Sequence, residues 1–112
     1  MKVLLDKNVT KLLKKDLVDE YVVFMVREKG WESYLNGELL KKMIEEDFEV
    51  LITFNGNFSK QQNFNKYPIP VIILSAYRSY YTRLIPMIPR LKAILRTELS
   101  IGTTVISEKN VA

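Results

Sequence analysis

Lys2-Val3-Leu4-Leu5-Asp6 (KVLLD), near the start of the chain, is a short apolar run that stops at a carboxylate. The residues after it carry leucines at the spacing of one helix face, which predicts a short helix over Val9–Leu17 with Asn8 as its N-cap. Tyr21–Val26 (YVVFMV) is rich in β-branched and aromatic residues, which predicts a buried strand. The opening of the chain is therefore predicted to be a strand, a helix and a second strand.

The same alternation continues through the rest of the chain. An apolar stripe predicts a helix from Asn36 to about Asp47. Pro86 and Pro89 suit the first turn of a later helix better than its interior. Further strands are predicted at Val50–Phe54, Pro70–Leu74 and Thr103–Ile106. Strands separated by helices predict an α/β protein with a largely parallel sheet and helices on both sides of it.

The composition indicates a single globular domain over residues 1–112. The chain is 47% hydrophobic and 27% charged, with no Cys and no His. The lack of Cys and His excludes disulfides, thiolate or histidine catalysis, and metal sites built on those residues. Any metal must then be held by oxygen ligands, which indicates Mg²⁺ or Mn²⁺. The longest uncharged run has 11 residues, too few to cross a membrane, and no signal-peptide core is visible, so we expect a cytoplasmic protein.

Charge is distributed unevenly along the chain. Residues 1–58 carry 9 basic and 11 acidic side chains, whereas residues 59–112 carry 8 basic and 2 acidic ones. One segment combines five cations and three tyrosines with no acid: Arg78, Arg83, Arg90, Lys92, Arg96, Tyr77, Tyr80 and Tyr81. Arginines beside aromatic rings bind phosphates and stack on unpaired bases, which predicts an RNA-binding surface there. A solvated basic helix face, or contact with a second subunit, explains the same pattern.

Polar residues end three of the predicted strands: Asp6, Asn55 with Asn57, and Ser75. Ligands of parallel sheets bind outside the carboxyl ends of the strands. Glu38, in the first turn of the second predicted helix, is placed to reach the same edge. These side chains form a candidate site of oxygen ligands. No glycine-rich phosphate loop of the Rossmann or Walker type is present, which argues against a dinucleotide or P-loop site.

Three blocks of the chain also match a known pattern in order and spacing. They are Met1–Val9, Gly30-Trp31-Glu32 with Asn36–Leu40, and Leu51–Phe58 with Gln61-Gln62-Asn63. On these blocks, residues 1–107 resemble a small PIN-like family of uncharacterised bacterial and archaeal proteins that is related to the VapC toxins.

The resemblance implies a PIN-like three-layer α/β/α sandwich with a mainly parallel central sheet. It also implies a Mg²⁺- or Mn²⁺-dependent ribonuclease that is a component of a toxin–antitoxin pair. The expected partners are then RNA, an antitoxin protein and a second copy of the chain. By position, Asp6, Glu38 and Asn55 match the catalytic and metal-binding residues. Thr53, Asn57, Gln61 and Gln62 take supporting positions.

Asn55 departs from the family pattern, which has Asp in a T-x-D-x-N motif. An amide oxygen can ligate Mg²⁺ but brings no negative charge. Two unit charges about 4 Å apart interact by about 4 kcal/mol at an effective dielectric constant of 20. We therefore expect metal binding to be weak or absent. A natural family member with a weakened site and an engineered inactive variant both fit this sequence.

Each candidate residue also has a purely structural interpretation. Asp6 then caps the next helix, Glu38 is favoured by the dipole of its helix, and Trp31 anchors a loop instead of stacking on a base. The other polar candidates are then ordinary turn and loop residues: Asn55, Asn57, Gln61 and Gln62. Two functional classes follow, an RNA-cleaving PIN-like enzyme or a noncatalytic PIN-like module that binds RNA or a protein partner.

Overall fold

The computed structural model describes residues 1–54, 64, 66–77 and 80–108, and these residues form five strands and six short helical segments. The strands are β1 (Lys2–Leu5), β2 (Val22–Met25), β3 (Val50–Thr53), β4 (Pro70–Ser75) and β5 (Gly102–Ser107). The helices are α1 (Lys11–Leu17), α2 (Val26–Lys29), α3 (Asn36–Glu45), α4 (Tyr81–Leu84), a 3₁₀ turn (Ile85–Met87) and α5 (Ile88–Leu95). Five residues singled out in the sequence lie outside the described ranges: Asn55, Asn57, Gln61, Gln62 and Arg78.

All five strands were predicted close to their observed bounds, but helices α1, α2 and α4 differ from the prediction. Helix α1 begins at Lys11, not Val9, because the Thr10 side chain accepts the hydrogen bond of the Leu12 amide and takes the N-cap role expected of Asn8. Helices α2 and α4 were not predicted, since a single turn of four residues is too short to show a helical period. Pro89 lies in the first turn of α5 as predicted, whereas Pro86 lies in the preceding 3₁₀ turn.

The five strands form one sheet in which every neighbouring pair is parallel. Their order across the sheet is β2-β1-β3-β4-β5, so the chain first steps from β1 to one edge and then returns past β1 to the other. The prediction of a parallel sheet with helices on both sides is confirmed. The architecture is a three-layer α/β/α sandwich.

The alternating direction of strand side chains divides the core into two layers. On one face the sheet packs against α1, α4 and α5, through side chains such as Leu13, Leu84 and Leu91. On the other face it packs against α3 and the loop before it, through Leu40 and Trp31 among others. Because both faces are covered, β1, β3 and β4 are apolar almost throughout and do not alternate with polar residues. The edge strand β5 is more polar, with Thr103 and Thr104.

The C-terminal helices lie on the same face of the sheet as α1. The step from β1 to β2 and the step from β4 to β5 go toward opposite edges of the sheet. Two crossovers that run over one face in opposite directions have opposite hands, whereas parallel crossovers are right-handed in the great majority of proteins. This exceptional placement brings α4 beside α1. Because these helices lie side by side, Asp16 and Glu20 contact side chains of the C-terminal segment.

Candidate functional site

The sheet has a switch point at β1, where the strand order reverses direction. In open parallel sheets, ligands bind outside the carboxyl ends of the strands at such a point. Asp6 directly follows β1, and Thr53 is the last residue of the neighbouring β3. The topology thus places these two polar side chains together at the position where a ligand is expected.

Asp6 is held firmly at this edge, with only 7% of its surface exposed. Its Oδ2 accepts a hydrogen bond of 2.6 Å from the hydroxyl of Thr53, which is fully buried. Its Oδ1 accepts one of 2.8 Å from the amide of Lys7. Each carboxylate oxygen can accept a further hydrogen bond or ligate a cation. The two hydrogen bonds therefore fix the orientation of the carboxylate and leave acceptor sites for a ligand.

Asn8 joins the same edge in a way the sequence did not indicate. Its side-chain oxygen accepts a hydrogen bond of 3.1 Å from the amide of Phe54, just after β3. Asn8 therefore ties the exit of β1 to the exit of β3, and Thr10 caps α1 in its place. The interpretation of Asp6 as a mere helix cap is wrong, because its carboxylate bonds Lys7 and Thr53 instead.

A small pocket of about 150 Å³ opens beside the Asp6 carboxylate. Its polar walls come from Asp6, Lys7, Asn8, Glu32 and Asn36, and its apolar walls include Val26, Trp31, Tyr34 and Leu39. Trp31 is 6% exposed and meets the ring of Phe48 edge-on, with ring centroids 5.7 Å apart. The prediction that Trp31 anchors its loop is confirmed, although its indole also forms part of the pocket wall.

Glu38 lies in the first turn of α3, as predicted, but it is exposed and does not line the Asp6 pocket. Asn36, two residues earlier, lines it instead. Within the described part of the chain, no three Asp, Glu, His or Cys residues lie together as a metal-binding group. One carboxylate and one amide oxygen nevertheless suit Mg²⁺ or Mn²⁺, since such ions keep several waters and bind through one or two carboxylates.

Other polar residues lie farther from the Asp6 pocket. Ser75 ends β4 at the carboxyl edge and is exposed. Asp47 and Glu49 lie at the opposite edge, where they line a separate depression of about 560 Å³ with Pro68 and Ile69. They precede β3 and cannot contribute to a site that follows it.

The basic C-terminal segment meets acids from other parts of the chain. Arg83 pairs with Glu108, just after β5, at 3.7 Å. Arg96 donates three hydrogen bonds to Glu20, one of 3.3 Å from its Nε and two of 2.9 Å and 3.2 Å from its Nη2. Lys92 lies 3.7 Å from the same carboxylate. The hydrogen bonds from Arg96 are the main reason that the pKa of Glu20 is below its ordinary value.

The tyrosines of this segment have separate environments. Tyr81 donates a hydrogen bond of 2.7 Å to Asp16 on α1, which raises the pKa of the Tyr81 hydroxyl. Tyr77 and Tyr80 are largely exposed. Arg90 is exposed and forms no ion pair with a described residue. Among the described cations of the predicted RNA-binding surface, Arg83, Lys92 and Arg96 are therefore paired with acids, and Arg90 is not.

The cations of this segment also do not gather at one edge. Glu108 follows the carboxyl end of β5, whereas Glu20 precedes the amino end of β2. The partners of these acids, Arg83 and Arg96, therefore lie at opposite ends of the sandwich.

A second basic surface, which the sequence did not single out, runs from the Asp6 pocket along α1. We call it the basic groove and define it by Lys7, Lys11, Lys14, Lys15 and Arg27. Two depressions form it, of about 330 Å³ and 530 Å³, and they share Lys11, Met25 and Arg27. The available signal was the spacing of Lys11, Lys14 and Lys15, which are neighbours on one helix face.

No protein-family model, curated protein or solved structure matches the chain. In the described residues, no helix has the length and apolar character needed to cross a membrane.

Proposed function

We propose that the chain is a PIN-like protein of the Mg²⁺- or Mn²⁺-dependent ribonuclease type, with a weakened metal site built on Asp6. The observation that carries this proposal is the buried, hydrogen-bonded Asp6 carboxylate at the switch point of a parallel sheet. A carboxylate at that place faces the region where ligands of such sheets bind. The resemblance of the sequence to the PIN-like family suggests which ligands bind there, namely Mg²⁺ or Mn²⁺ and RNA.

Thr53 and the Lys7 amide would orient the Asp6 carboxylate toward a cation, and Asn36 would offer an amide oxygen from α3. A bound Mg²⁺ or Mn²⁺ would supply Lewis-acid activation for attack of water on a phosphodiester. Lys7 lines the same pocket, and its ammonium group donates to the Glu32 carbonyl at 3.1 Å. A cationic side chain there suits a phosphate near the metal and lowers the affinity for the metal alone.

A noncatalytic module that binds RNA or a protein partner is the second candidate. Its support is that Glu38 does not line the Asp6 pocket and that the described residues contain no three-carboxylate group. Asn55 in place of the family aspartate favours the same candidate. An RNA-binding module of this kind would share the RNA surface with the enzyme and differ from it in turnover.

Titration with Mn²⁺, followed by paramagnetic broadening of amide NMR signals, tests the metal site. We expect millimolar-scale binding that broadens the signals of Asp6, Lys7 and Thr53 first, because a hard divalent ion held by one carboxylate keeps most of its waters. Asp6→Asn should lower the affinity for Mn²⁺ at least roughly tenfold, since the interaction of the ion with a full charge is lost.

Asp47→Asn is the matched control, because it removes one carboxylate at the opposite edge. Asn tolerates the positive φ of 63° that Asp47 adopts, so this variant should fold normally. Broadening that spares Asp6, or equal losses in both variants, would contradict the site. Asn55→Asp restores the acid of the family pattern and should tighten Mn²⁺ binding.

Incubation of the purified protein with single-stranded RNA and Mn²⁺ separates the two candidates. Cleavage that is lost in Asp6→Asn supports the enzyme, whereas RNA binding without cleavage selects the noncatalytic module. The toxin role is a separate part of the proposal. A neighbouring reading frame for a small, DNA-binding antitoxin-like protein would support it, and a genomic setting without one would count against it.

A further inference from the structure

We propose that the basic groove binds the phosphate backbone of single-stranded RNA and leads it to the Asp6 pocket. The choice of RNA over another polyanion rests on the proposed function. The choice of surface rests on the structure alone, and it moves the expected RNA contacts from the C-terminal segment to α1 and α2.

The groove is continuous with the Asp6 pocket. Lys7 and Asn8 line both the pocket and the depression of about 330 Å³ next to it. Lys11 and Arg27 line that depression and the following one of about 530 Å³. An RNA strand that enters at the far end of the groove therefore reaches Asp6 without leaving the protein surface.

Most cations of the groove are not neutralised. Lys11, Lys15 and Arg27 are exposed and form no ion pair with any described residue, and the Lys7 ammonium donates to the Glu32 carbonyl oxygen. Among the described residues that line the two depressions of the groove, the one acid is Glu28. It accepts hydrogen bonds of 2.8 Å and 2.9 Å from Lys14 and one from the Met25 amide, which lower its pKa. Lys14 thus occupies the single acid and leaves the other cations free.

The spacing of these cations suits a nucleic-acid backbone. Lys11 and Lys15 are one helical turn apart, about 6 Å along the axis of α1, which is close to the separation of successive phosphates in an extended strand. Like charges at this spacing weakly destabilise a helix, so binding of an anion would relieve a cost present in the free protein. Met25 lines both depressions and offers an apolar contact for an unstacked base.

Fluorescence anisotropy with a short labelled oligouridylate tests the surface, in EDTA so that no metal contributes. The groove variant combines Lys11→Gln, Lys15→Gln and Arg27→Gln. The matched variant combines Arg83→Gln, Arg90→Gln and Arg96→Gln and removes the same charge from the C-terminal segment. All six side chains are exposed, so both proteins should fold, which circular dichroism verifies.

The groove variant should lose at least roughly tenfold in affinity, and the matched variant less than about threefold, near 50 mM KCl. The slope of log affinity against log salt should fall by about 2 in the groove variant, since each lost phosphate contact contributes about 0.7 on a single strand. The dependence on salt distinguishes lost phosphate contacts from a local change of shape.

An equal or larger loss in the matched variant would overturn the proposal, as would no binding of RNA by the unsubstituted protein. Binding to phosphatidylserine vesicles without binding to RNA would also overturn it. Failure of this proposal is distinguishable from failure of the proposed function. Mn²⁺ broadening near Asp6 should persist in the groove variant, because Lys11, Lys15 and Arg27 do not line the Asp6 pocket.

Discussion

Helix α1 and the C-terminal helices α4 and α5 cover the same face of the sheet, yet they present charge differently. In the sequence, the C-terminal segment is the basic one, and the α1 region lies in a half of the chain with a net excess of acids. In the structure, Arg83 and Arg96 of the C-terminal segment pair with acids. On α1, Lys11 and Lys15 remain without an acidic partner among the described residues.

The difference shows that a count of charges along a chain does not describe its surface. The acids Asp16 and Glu20 belong to the α1 region in sequence, but they contact Tyr81 and Arg96. Two acids of the N-terminal half, Asp16 and Glu20, thus pair with the C-terminal segment. Other acids of that half pair with its own lysines, such as Glu28 with Lys14. The unpaired charge of each region differs from its sequence composition because the two regions lie side by side on one face of the sheet.

The largest effects should show where the two regions are alike. Leu13 of α1 and Leu91 of α5 are each 1% exposed and belong to the same core layer. Leu13→Ala and Leu91→Ala should each lower the free energy of unfolding by about 2–5 kcal/mol, because each leaves a cavity in that layer. Urea unfolding measures both values.

Leu12→Ala is the control, since Leu12 is 37% exposed and its truncation should cost far less. A cost below about 1 kcal/mol for Leu91→Ala alone would mean that α5 does not share the α1 core. The two regions could then not be compared as parts of one layer of the core.

A smaller effect is expected on RNA affinity when the cations of the C-terminal segment lose their acidic partners. Glu20→Gln with Glu108→Gln frees Arg83, Lys92 and Arg96 from their acids. We expect the affinity for single-stranded RNA to rise roughly threefold to tenfold near 50 mM KCl, because exposed charges about 4 Å apart attract by about 1 kcal/mol in water and salt weakens this further. Fluorescence anisotropy measures the gain.

Glu45→Gln with Asp47→Asn makes the same change in net charge near the face covered by α3. An equal gain from this control would attribute the effect to net charge alone. If the first variant gave no gain, pairing with Glu20 and Glu108 would not be what limits RNA binding by the C-terminal segment.

The smallest effect concerns the titration of Glu20. Arg96→Gln should raise the pKa of Glu20 toward its ordinary value, because the hydrogen bonds from Arg96 are the largest cause of its lowering. A group with a lowered folded pKa stabilises the protein above its unfolded pKa, and that contribution is lost as the pH falls through the folded pKa. Arg96→Gln should therefore make unfolding less sensitive to pH in that acidic window.

NMR titration of the Glu20 carboxyl carbon gives its pKa directly, with Arg83→Gln as a control that leaves the Arg96 pair intact. A Glu20 pKa that stays low in Arg96→Gln would show that Lys92 or another group holds it. The Arg96 contact would then be an incidental surface pair, as many are.

Much of the fold was predictable, because burial on both faces makes parallel strands into apolar runs that stand out in a sequence. Val50–Thr53 and Pro70–Ser75 are such runs, and both are strands at the expected places. The start of α1 was misplaced by two residues, since Asn8 and Thr10 are both good N-caps and only the contact of Asn8 with Phe54 decides between them. A one-turn helix such as α2 has no period to detect.

The candidate site was predictable only in part. Asp6 could be placed at a strand end from the sequence, and its resemblance to a metal-binding aspartate gave a role to test. The approach of Asn36 in place of Glu38 depends on how α3 begins, where neither residue supplies a side-chain cap. The basic groove was hidden because Arg27 joins the lysines of α1 only after β2 has returned the chain beside β1.

The sequence by itself determined the alternation of strands and helices, the exclusion of Cys and His chemistry, and the position of Asp6 at the end of the first strand. These features depend on residue type and on neighbours within a few positions, which a pattern records. Only the tertiary structure decided which face carries the C-terminal helices and which cations meet acids. Glu20 and Arg96 are 76 positions apart, and their contact exists because the last crossover returns over the face of α1.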